Sequence, residues 1–276
     1  MKNGGSNPPA PGNRCAGPPG GLSCRPGGFV FIMAPMAPIT VDLPSSLPLV
    51  ATCATVAAWA YGTYEPNSPL FGRAIGRGSR TGRVAYLTFD DGPNPGATEP
   101  ILDTLAAERV PAAFFMVGDH VRRFPAVARR IAALGHEVGN HTLRHRKLHF
   151  LGPARIREEL ERAHELIAGT TGRDPRSFRA PHGYRNPFVA RAARRFAYTV
   201  FGWTFGVWDS DPRVGAEEIR DRVRRKLKPG AIILLHDGDG YDPTGDRRRT
   251  AAALPGIIED ARSRGFEFRP LGELIS

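Results

Sequence analysis

The segment VAYLTFDDGPNP, residues 84–95, is the part of the sequence that decides the fold class. Its first six residues are aliphatic, aromatic or β-branched, which is typical of a buried strand. Gly92 and Pro93 then break the regular structure. We therefore predict that Asp90 and Asp91 lie on a turn at the C-terminal tip of a strand. Adjacent carboxylates repel each other, and burial increases the repulsion, so this pair needs a chemical explanation.

Strand-like and helix-like segments alternate from this strand to the end of the chain. The strand-like runs include AAFFM, HEVGN, TVFGW and AIILLH, and the segments between them carry apolar residues at helical spacing. Such alternation indicates a parallel sheet with crossover helices. Residues 84–276 are enough for one closed or nearly closed barrel, in which chemistry gathers at the C-terminal ends of the strands.

The first eighty residues differ from the rest in composition. Residues 1–46 form a Gly- and Pro-rich leader, which we predict to be disordered. Residues 47–61 are apolar and uncharged but short for a membrane span of roughly twenty residues, so a signal segment, a membrane anchor and a packing helix all stay open. Residues 62–83 are interpreted as a linker. We favour export or anchoring at the cell envelope over a cytoplasmic location.

The chain is basic, with a formal net charge of +11. A basic face can attract nucleic acid or an anionic envelope polymer. Because no nucleic-acid motif accompanies the charge, we predict a solvated arginine-rich surface and no nucleic-acid partner. Cys15, Cys24 and Cys53 all precede the predicted barrel, whose core therefore uses neither disulfides nor thiolate ligands. Nothing in the sequence indicates an oligomeric state.

Two histidines follow the HEVGN strand, at positions 141 and 145. On a helix or a tight turn this spacing aims both imidazoles to one side, although surface histidine pairs at this spacing are common. Two histidines and one carboxylate form a familiar catalytic zinc arrangement with open positions. One aspartate of the doublet can then ligate the metal, which relieves the repulsion, while the other acts as a base. This would explain the doublet.

Other polar residues also follow predicted strands. His236, at the end of AIILLH, could serve as a general acid held by a carboxylate such as Asp209. Arg179 could pair with the aspartate that does not bind metal and keep it ionised and oriented. Taken singly, His236 is equally well a core histidine and Arg179 a surface ion pair. Several such groups at successive strand ends favour one active site.

Residues 83–274 resemble the polysaccharide deacetylases of carbohydrate esterase family 4, the NodB-homology family. The resemblance rests on five motifs in the family's order: TFDDGP at 88–93, HTLRH at 141–145, RAPHGY at 179–184, WD at 208–209 and LLHD at 234–237. It implies a distorted (β/α) barrel of the NodB-homology type with fewer than eight complete units, preceded by a poorly structured N-terminal region. It also implies a divalent metal, with Zn²⁺ expected.

The resemblance assigns roles to the first two motifs and to the arginine of the third. Asp90 matches the catalytic base of the family, and Asp91, His141 and His145 match the metal ligands. Arg179 matches the residue that orients the base.

The last three motifs supply the remaining roles. His182 takes a place that is often a tyrosine, whose backbone N–H helps to stabilise the oxyanion. His236 matches the catalytic acid and Asp209 its carboxylate partner, with Asp211 as the alternative. The third motif departs from the family in having Ala180 and His182 where proline and tyrosine are usual.

The expected function is metal-dependent hydrolysis of acetyl groups from N-acetylated sugars in an oligo- or polysaccharide that contains N-acetylglucosamine. Two alternatives stay open. One is an O-acetyl esterase or another amide hydrolase on the same fold. The other is a non-catalytic carbohydrate-binding protein of the envelope, against which the retained base and acid residues count.

Overall fold

The computed structural model describes residues 43–275 of the chain, with side chains from residue 47. The predicted disordered leader, residues 1–46, lies outside the described residues except for its last four backbone positions. Leu47–Ser276 form one compact unit, which carries all the strands described below. The division of the chain at residues 47–61, 62–83 and 84–276 stays a prediction.

The unit is built on one sheet of eight parallel strands, ordered β5-β4-β3-β2-β1-β7-β6, with β8 pairing the start of β1. The strands are β1 (Val84–Asp90), β2 (Ala112–Met116), β3 (Glu137–Asn140), β4 (Ser177–Phe178), β5 (Thr199–Val200), β6 (Phe205–Gly206), β7 (Ala231–His236) and β8 (Glu267–Phe268). The register sets Asp90 beside Phe115 on one side and His236 on the other. The predicted parallel α/β barrel with fewer than eight complete units is confirmed.

Helices connect the strands and cover the outside of the sheet. They are α1 (Leu43–Tyr64), α2 (Pro95–Glu108), α3 (Gly118–Arg123), α4 (Pro125–Ala133), α5 (Pro153–Thr171), α6 (Pro187–Arg195), α7 (Ala216–Lys226) and α8 (Arg248–Ser263). The helices α2, α4, α5 and α6 each have a proline in the first turn. Proline fits there because the backbone N–H that it lacks would have no partner within the helix.

The two faces of β1 enter different hydrophobic clusters, because successive side chains of a strand point to opposite faces. Leu87 and Phe89 pack in the larger cluster, which includes buried residues of α2 and α8. Tyr86 packs in a second cluster with Phe115. Asp90 is two residues on from Thr88 and therefore shares the face of Tyr86.

A stretch before β1 contacts both the β5 edge of the sheet and β7, which lies next to the other edge strand, β6. Ile75 pairs with Phe201, just after β5, and Arg77 pairs with Ala231 at the start of β7. The side chain of Arg77 also donates two hydrogen bonds to the carbonyl of Pro229, at 2.8 and 3.0 Å. Part of residues 62–83, the segment interpreted as a linker, thus packs against the sheet and contacts strands on both sides of its open edge.

The segment at residues 47–61 belongs to α1. Several apolar side chains of this helix are exposed, among them Leu49, Val56 and Trp59. Its last turn is tied to the barrel, because the Thr63 carbonyl accepts the backbone N–H of Arg185 at 3.1 Å. Between residues 43 and 275, no helix combines the length and the apolar character that crossing a membrane requires.

Candidate active site

All eight residues singled out in the sequence lie around one cleft at the C-terminal edge of the sheet. Six line the cleft, and they are Asp90, Asp91, His141, His145, His182 and His236. Arg179 and Asp209 lie directly behind them, each bonded to a lining residue. The edge of the sheet therefore brings together groups from five separate segments of the chain.

Asp91, His141 and His145 form a buried cluster suited to a metal ion. Asp91 Oδ1 lies 3.3 Å from His141 Nε2 and 3.1 Å from His145 Nε2, and the three ligand atoms all lie within 4.8 Å of one another. Burial alone would raise the pKa of Asp91, but the neighbouring imidazoles hold it well below its usual range. Within the described residues, Asp91 Oδ1 has no hydrogen-bond partner.

The tautomer of His141 strengthens the case for a cation. Its Nδ1 lies 2.8 Å from the carbonyl oxygen of Arg179, which can only accept, so Nδ1 carries the proton. The lone pair of Nε2 in the neutral imidazole then faces the Asp91 carboxylate. Two such lone pairs facing each other in a buried site need a positive charge between them, which a metal ion supplies. Without a metal a proton takes this place: burial alone would lower the pKa of His141, but the carboxylates of Asp90 and Asp91 raise it. The nitrogen, nitrogen and oxygen donor set fits a divalent metal such as zinc.

The backbone around the cluster adopts left-handed conformations at non-glycine residues. Asp91 has φ of 75°, Thr142 of 73° and His145 of 52°. Such conformations cost free energy and persist where the surrounding structure enforces them. Here the enforcement includes the Thr142 hydroxyl, which accepts the His145 backbone N–H at 3.0 Å. The two histidines thus lie in a tight loop and not on a helix.

Arg179 orients the other aspartate of the doublet. Its guanidinium donates from Nη1 to Asp90 Oδ1 at 2.6 Å and to Thr88 Oγ1 at 2.9 Å, and from Nη2 to the Gly202 carbonyl at 2.9 Å. The guanidinium also lies 4.2 Å from the centre of the Phe115 ring. Arg179 is fully buried, and this burial lowers its pKa from the ordinary value. A fixed charge of this kind holds Asp90 in one orientation.

His236 and Asp209 form a second charged pair. His236 Nδ1 lies 2.9 Å from Asp209 Oδ1, and the other oxygen of Asp209 accepts the His236 backbone N–H at 2.7 Å and the Thr250 hydroxyl at 3.0 Å. Burial by itself would lower the pKa of His236, but the Asp209 carboxylate outweighs it and raises the pKa to about 9. Asp211 instead pairs with Arg213 at 2.7 Å.

His182 lies at the rim, with a left-handed φ of 57°. Its ring centre is 4.9 Å from that of His145, and its Nε2 lies 2.8 Å from the hydroxyl of Tyr241. Partial burial, followed by the nearby charge of His145, lowers the pKa of His182 to about 4. The side chain is therefore a neutral group near pH 7.

Comparison with known proteins agrees with this geometry. Residues 77–201 match the sequence model described as polysaccharide deacetylase. A chitooligosaccharide deacetylase of Bradyrhizobium sp. (strain ANU 289) is 38% identical over 216 residues, which cover 75% of this chain and 97% of that protein. The chain belongs to the polysaccharide deacetylase family.

Two further relatives extend this assignment. A peptidoglycan-N-acetylglucosamine deacetylase of Bacillus cereus is 33% identical and covers 70% of this chain and 88% of that protein. The solved structure of a family 4 carbohydrate esterase from Streptomyces lividans has a TM-score of 0.60 and 30% identity, and covers 68% of this chain and 92% of that one. The predicted family, fold and enzyme class are confirmed.

The sequence analysis gave no role to Asp237, a buried residue that supports the deacetylase cleft from below without lining it. Asp237, next to His236, accepts the Gly92 backbone N–H at 3.1 Å and the Thr98 hydroxyl at 2.6 Å. Burial, followed by the charges of the aspartate doublet, raises the pKa of Asp237 to about 7. Asp237 therefore fixes the turn that carries Asp91. Its position in the LLHD motif is the sequence feature that could have indicated a role for Asp237.

Two other supporting residues had no signal in the sequence. His120, in α3, has its Nδ1 2.8 Å from the carbonyl oxygen of Asp91. Thr250, in α8, holds Asp209 through its hydroxyl. Each contact joins segments far apart in the chain, so only the folded structure reveals it.

Proposed function

We propose that the protein is a metal-dependent hydrolase that removes acetyl groups from N-acetylated sugars and releases acetate. The substrate is an oligo- or polysaccharide that contains N-acetylglucosamine, as the names of the relatives suggest. The observation that carries the proposal is the buried cluster in which Asp91 Oδ1 faces the Nε2 atoms of both His141 and His145. With both imidazoles neutral, these facing lone pairs would be costly in a buried site unless a cation lay between them.

Asp91, His141 and His145 would hold the metal, which we propose to be Zn²⁺. A divalent cation bound there would polarise the acetyl carbonyl and lower the pKa of a water molecule. The carbonyl of Arg179 orients the ring of His141 and increases its basicity, as outer contacts to metal-binding histidines do. Asp237 and His120 hold the backbone of the Asp91 turn.

Asp90 is the proposed general base. It takes a proton from the water that attacks the acetyl carbonyl carbon. Arg179 keeps the carboxylate in one orientation, so that its second oxygen, Oδ2, stays on the side of the metal cluster, 3.8 Å from His141 Nε2. The backbone N–H of His182 is the proposed donor to the oxyanion that forms on the carbonyl oxygen.

His236 is the proposed general acid. Its Nδ1–H donates to Asp209, so the proton that can be transferred is on Nε2. This proton passes to the sugar nitrogen as the carbon–nitrogen bond breaks, giving acetate and a free amine. Amide nitrogen leaves poorly unless it is protonated, and the raised pKa of His236 keeps the imidazole protonated near pH 7 for this step.

Aromatic side chains near the cleft are proposed to contact the sugar rings. Trp203 and Tyr241 line the cleft, and Tyr241 is 63% exposed. The ring of Tyr184 lies 5.4 Å from that of His182. Exposed aromatic faces beside a polar cleft offer the apolar surface that the faces of sugar rings require.

We propose an envelope location for the protein, through export or anchoring. The supporting observations are the glycan named for the Bacillus cereus relative and the apolar side chains exposed on α1. Residues 47–61 would associate with the membrane, residues 62–83 would lead into the barrel and residues 84–276 would form the catalytic domain. Cell fractionation of the full chain, compared with a chain lacking residues 47–61, tests the membrane association.

The activity is tested on the full chain with its metal removed by a chelator. Acetate release from N-acetylglucosamine oligomers is measured before and after Zn²⁺ is added, and turnover should appear only after the addition. Tight zinc binding without acetate release would refute this substrate class. A folded protein that neither binds zinc nor releases acetate would refute the metal site as well, and would favour a non-catalytic carbohydrate-binding protein.

A further inference from the structure

A second groove opens beside the catalytic cleft. We name it the arginine groove, after Arg122 and Arg123 of α3 and Arg144 of the loop before His145. It shares Gly240 and Tyr241 with the cleft. The two spaces are therefore parts of one continuous surface.

The arginine groove directly adjoins the metal cluster. A Cβ atom built on Gly240 would lie 2.2 Å from His145 Nδ1, so the backbone there packs tightly against this proposed ligand. The Tyr241 ring centre is 5.0 Å from that of His145. On the opposite side, His120 lines the groove and contacts the Asp91 carbonyl. A glycan chain bound with one sugar at the metal cluster would have a neighbouring unit at the groove.

The groove carries an excess of positive charge. Its lining includes three arginines and one carboxylate, that of Asp119. Asp119 lies 3.2 Å from Arg122 Nη2 and 3.7 Å from Arg144 Nε. Within the described residues Arg123 forms no ion pair, and its charge acts on Asp242, just outside the groove lining.

Two other surface grooves of the protein lack such an excess. In a groove along α7, four carboxylates face two arginines, and along α5 three glutamates face three arginines. In these two grooves the charges are thus balanced or reversed locally. In the arginine groove the arginines outnumber the carboxylates, and a groove in which one sign of charge predominates concentrates ligands of the opposite sign.

We infer that the arginine groove binds a carboxylate of the glycan, carried by a unit next to the sugar that loses its acetyl group. Guanidinium groups pair with carboxylates through charge-assisted hydrogen bonds of matched geometry. A neutral chain of N-acetylglucosamine would leave the excess charge without a partner. The inference rests on the proposed function and narrows its substrate to an acidic N-acetylated glycan.

The test compares two oligomers of equal length. One alternates N-acetylglucosamine with N-acetylmuramic acid and carries a carboxylate on every second sugar. The other is the same oligomer with its carboxylates methyl-esterified. A third oligomer, with peptides joined to those carboxylates, tests whether the groove binds the carboxylate of the sugar or a carboxylate of the peptide. Binding is measured by calorimetry on the full chain in the Asp90→Asn background, and kcat/KM is measured on the active enzyme.

The chain offers a matched pair of double variants. Arg122→Gln/Arg123→Gln changes two adjacent arginines at the end of α3. Arg194→Gln/Arg195→Gln changes two adjacent exposed arginines at the end of α6 and removes the same charge from another surface. The first variant should lose the preference for the acidic oligomer, roughly tenfold in affinity and in kcat/KM, and leave the ester unaffected. The second should keep the preference.

The inference is overturned if the α3 variant keeps the preference, or if the α6 variant loses as much. The preference should also weaken as salt is added, because exposed charges are screened. Absence of acetate release from every oligomer would refute the proposed function, but the binding ratio of the two oligomers would still decide whether the groove takes a carboxylate.

Discussion

His236 and Asp209 are joined twice, once through the imidazole Nδ1 at 2.9 Å and once through the backbone N–H of His236 at 2.7 Å. One carboxylate therefore fixes both the position of the strand end and the tautomer of the ring on it. Because Asp209 is almost fully buried, its charge acts on His236 with little screening by water.

Replacing Asp209 by Asn should shift the pH profile of the enzyme. With Asp209 present the pKa of His236 is raised to about 9, so the protonated acid persists up to that pH and activity falls above it. Removing the negative charge lowers this pKa, and the high-pH limb of kcat should move to lower pH. We expect turnover at neutral pH to fall roughly a hundredfold or more.

Asp211→Asn provides the control for this prediction, since its carboxylate pairs with Arg213 and does not contact His236. Its pH profile should match that of the wild type. The assignment of Asp209 as the partner of His236 would be contradicted if the high-pH limb of kcat stayed in place in Asp209→Asn. An equal shift of this limb in Asp211→Asn would contradict it as well.

Substitutions of the two aspartates of the doublet should affect activity and zinc binding differently. Asp90→Asn should lower kcat by roughly 10²- to 10⁴-fold and retain zinc, because Asp90 is the proposed base and not a ligand. Asp91→Asn should lose zinc affinity together with activity. Zinc content after dialysis, measured by atomic absorption beside acetate release, distinguishes the two. Equal loss of zinc in both variants would refute the division of roles.

Arg179→Met should destabilise the protein strongly, because it leaves the Asp90 carboxylate buried without its partner. Breaking a buried ion pair on one side costs about 3–5 kcal/mol. The free energy of unfolding in urea gives the measurement. Arg213→Met, which breaks an exposed pair with Asp211, should leave this free energy almost unchanged. Similar losses in the two variants would mean that burial of Arg179 has no special energetic role.

Gly92→Ala should disturb the turn that carries Asp91. A Cβ at this position would lie 2.0 Å from Asp237 Oδ2, so one of the two must move. We expect a loss of about 1–3 kcal/mol of stability and weaker zinc binding. At Gly96, the second residue of α2, a Cβ would lie 3.5 Å from its nearest neighbour, an ordinary contact. Gly96→Ala should therefore be tolerated, and zinc affinity that is unchanged in Gly92→Ala would contradict the role of Asp237.

The sequence by itself determined the parallel α/β architecture and which residues meet in the candidate active site. A buried strand ends at Asp90 because its apolar residues stop there and Gly92 and Pro93 follow, which is local information. Since parallel strands share one C-terminal edge, the polar residues after several strands had to converge. The short strand at Phe205–Gly206 was not predicted, because two residues carry no readable period.

Only the tertiary structure decided which groups touch. Asp209 and Asp211 are equivalent in sequence, two residues apart, and the contact with His236 spans 27 positions of the chain. The contact of Asp237 with the Asp91 turn and the lining of the arginine groove likewise join residues that are far apart in the chain. Periodicity is set by neighbours in the chain, whereas a side chain's partner depends on loop conformation and long-range packing, which no short stretch of sequence contains.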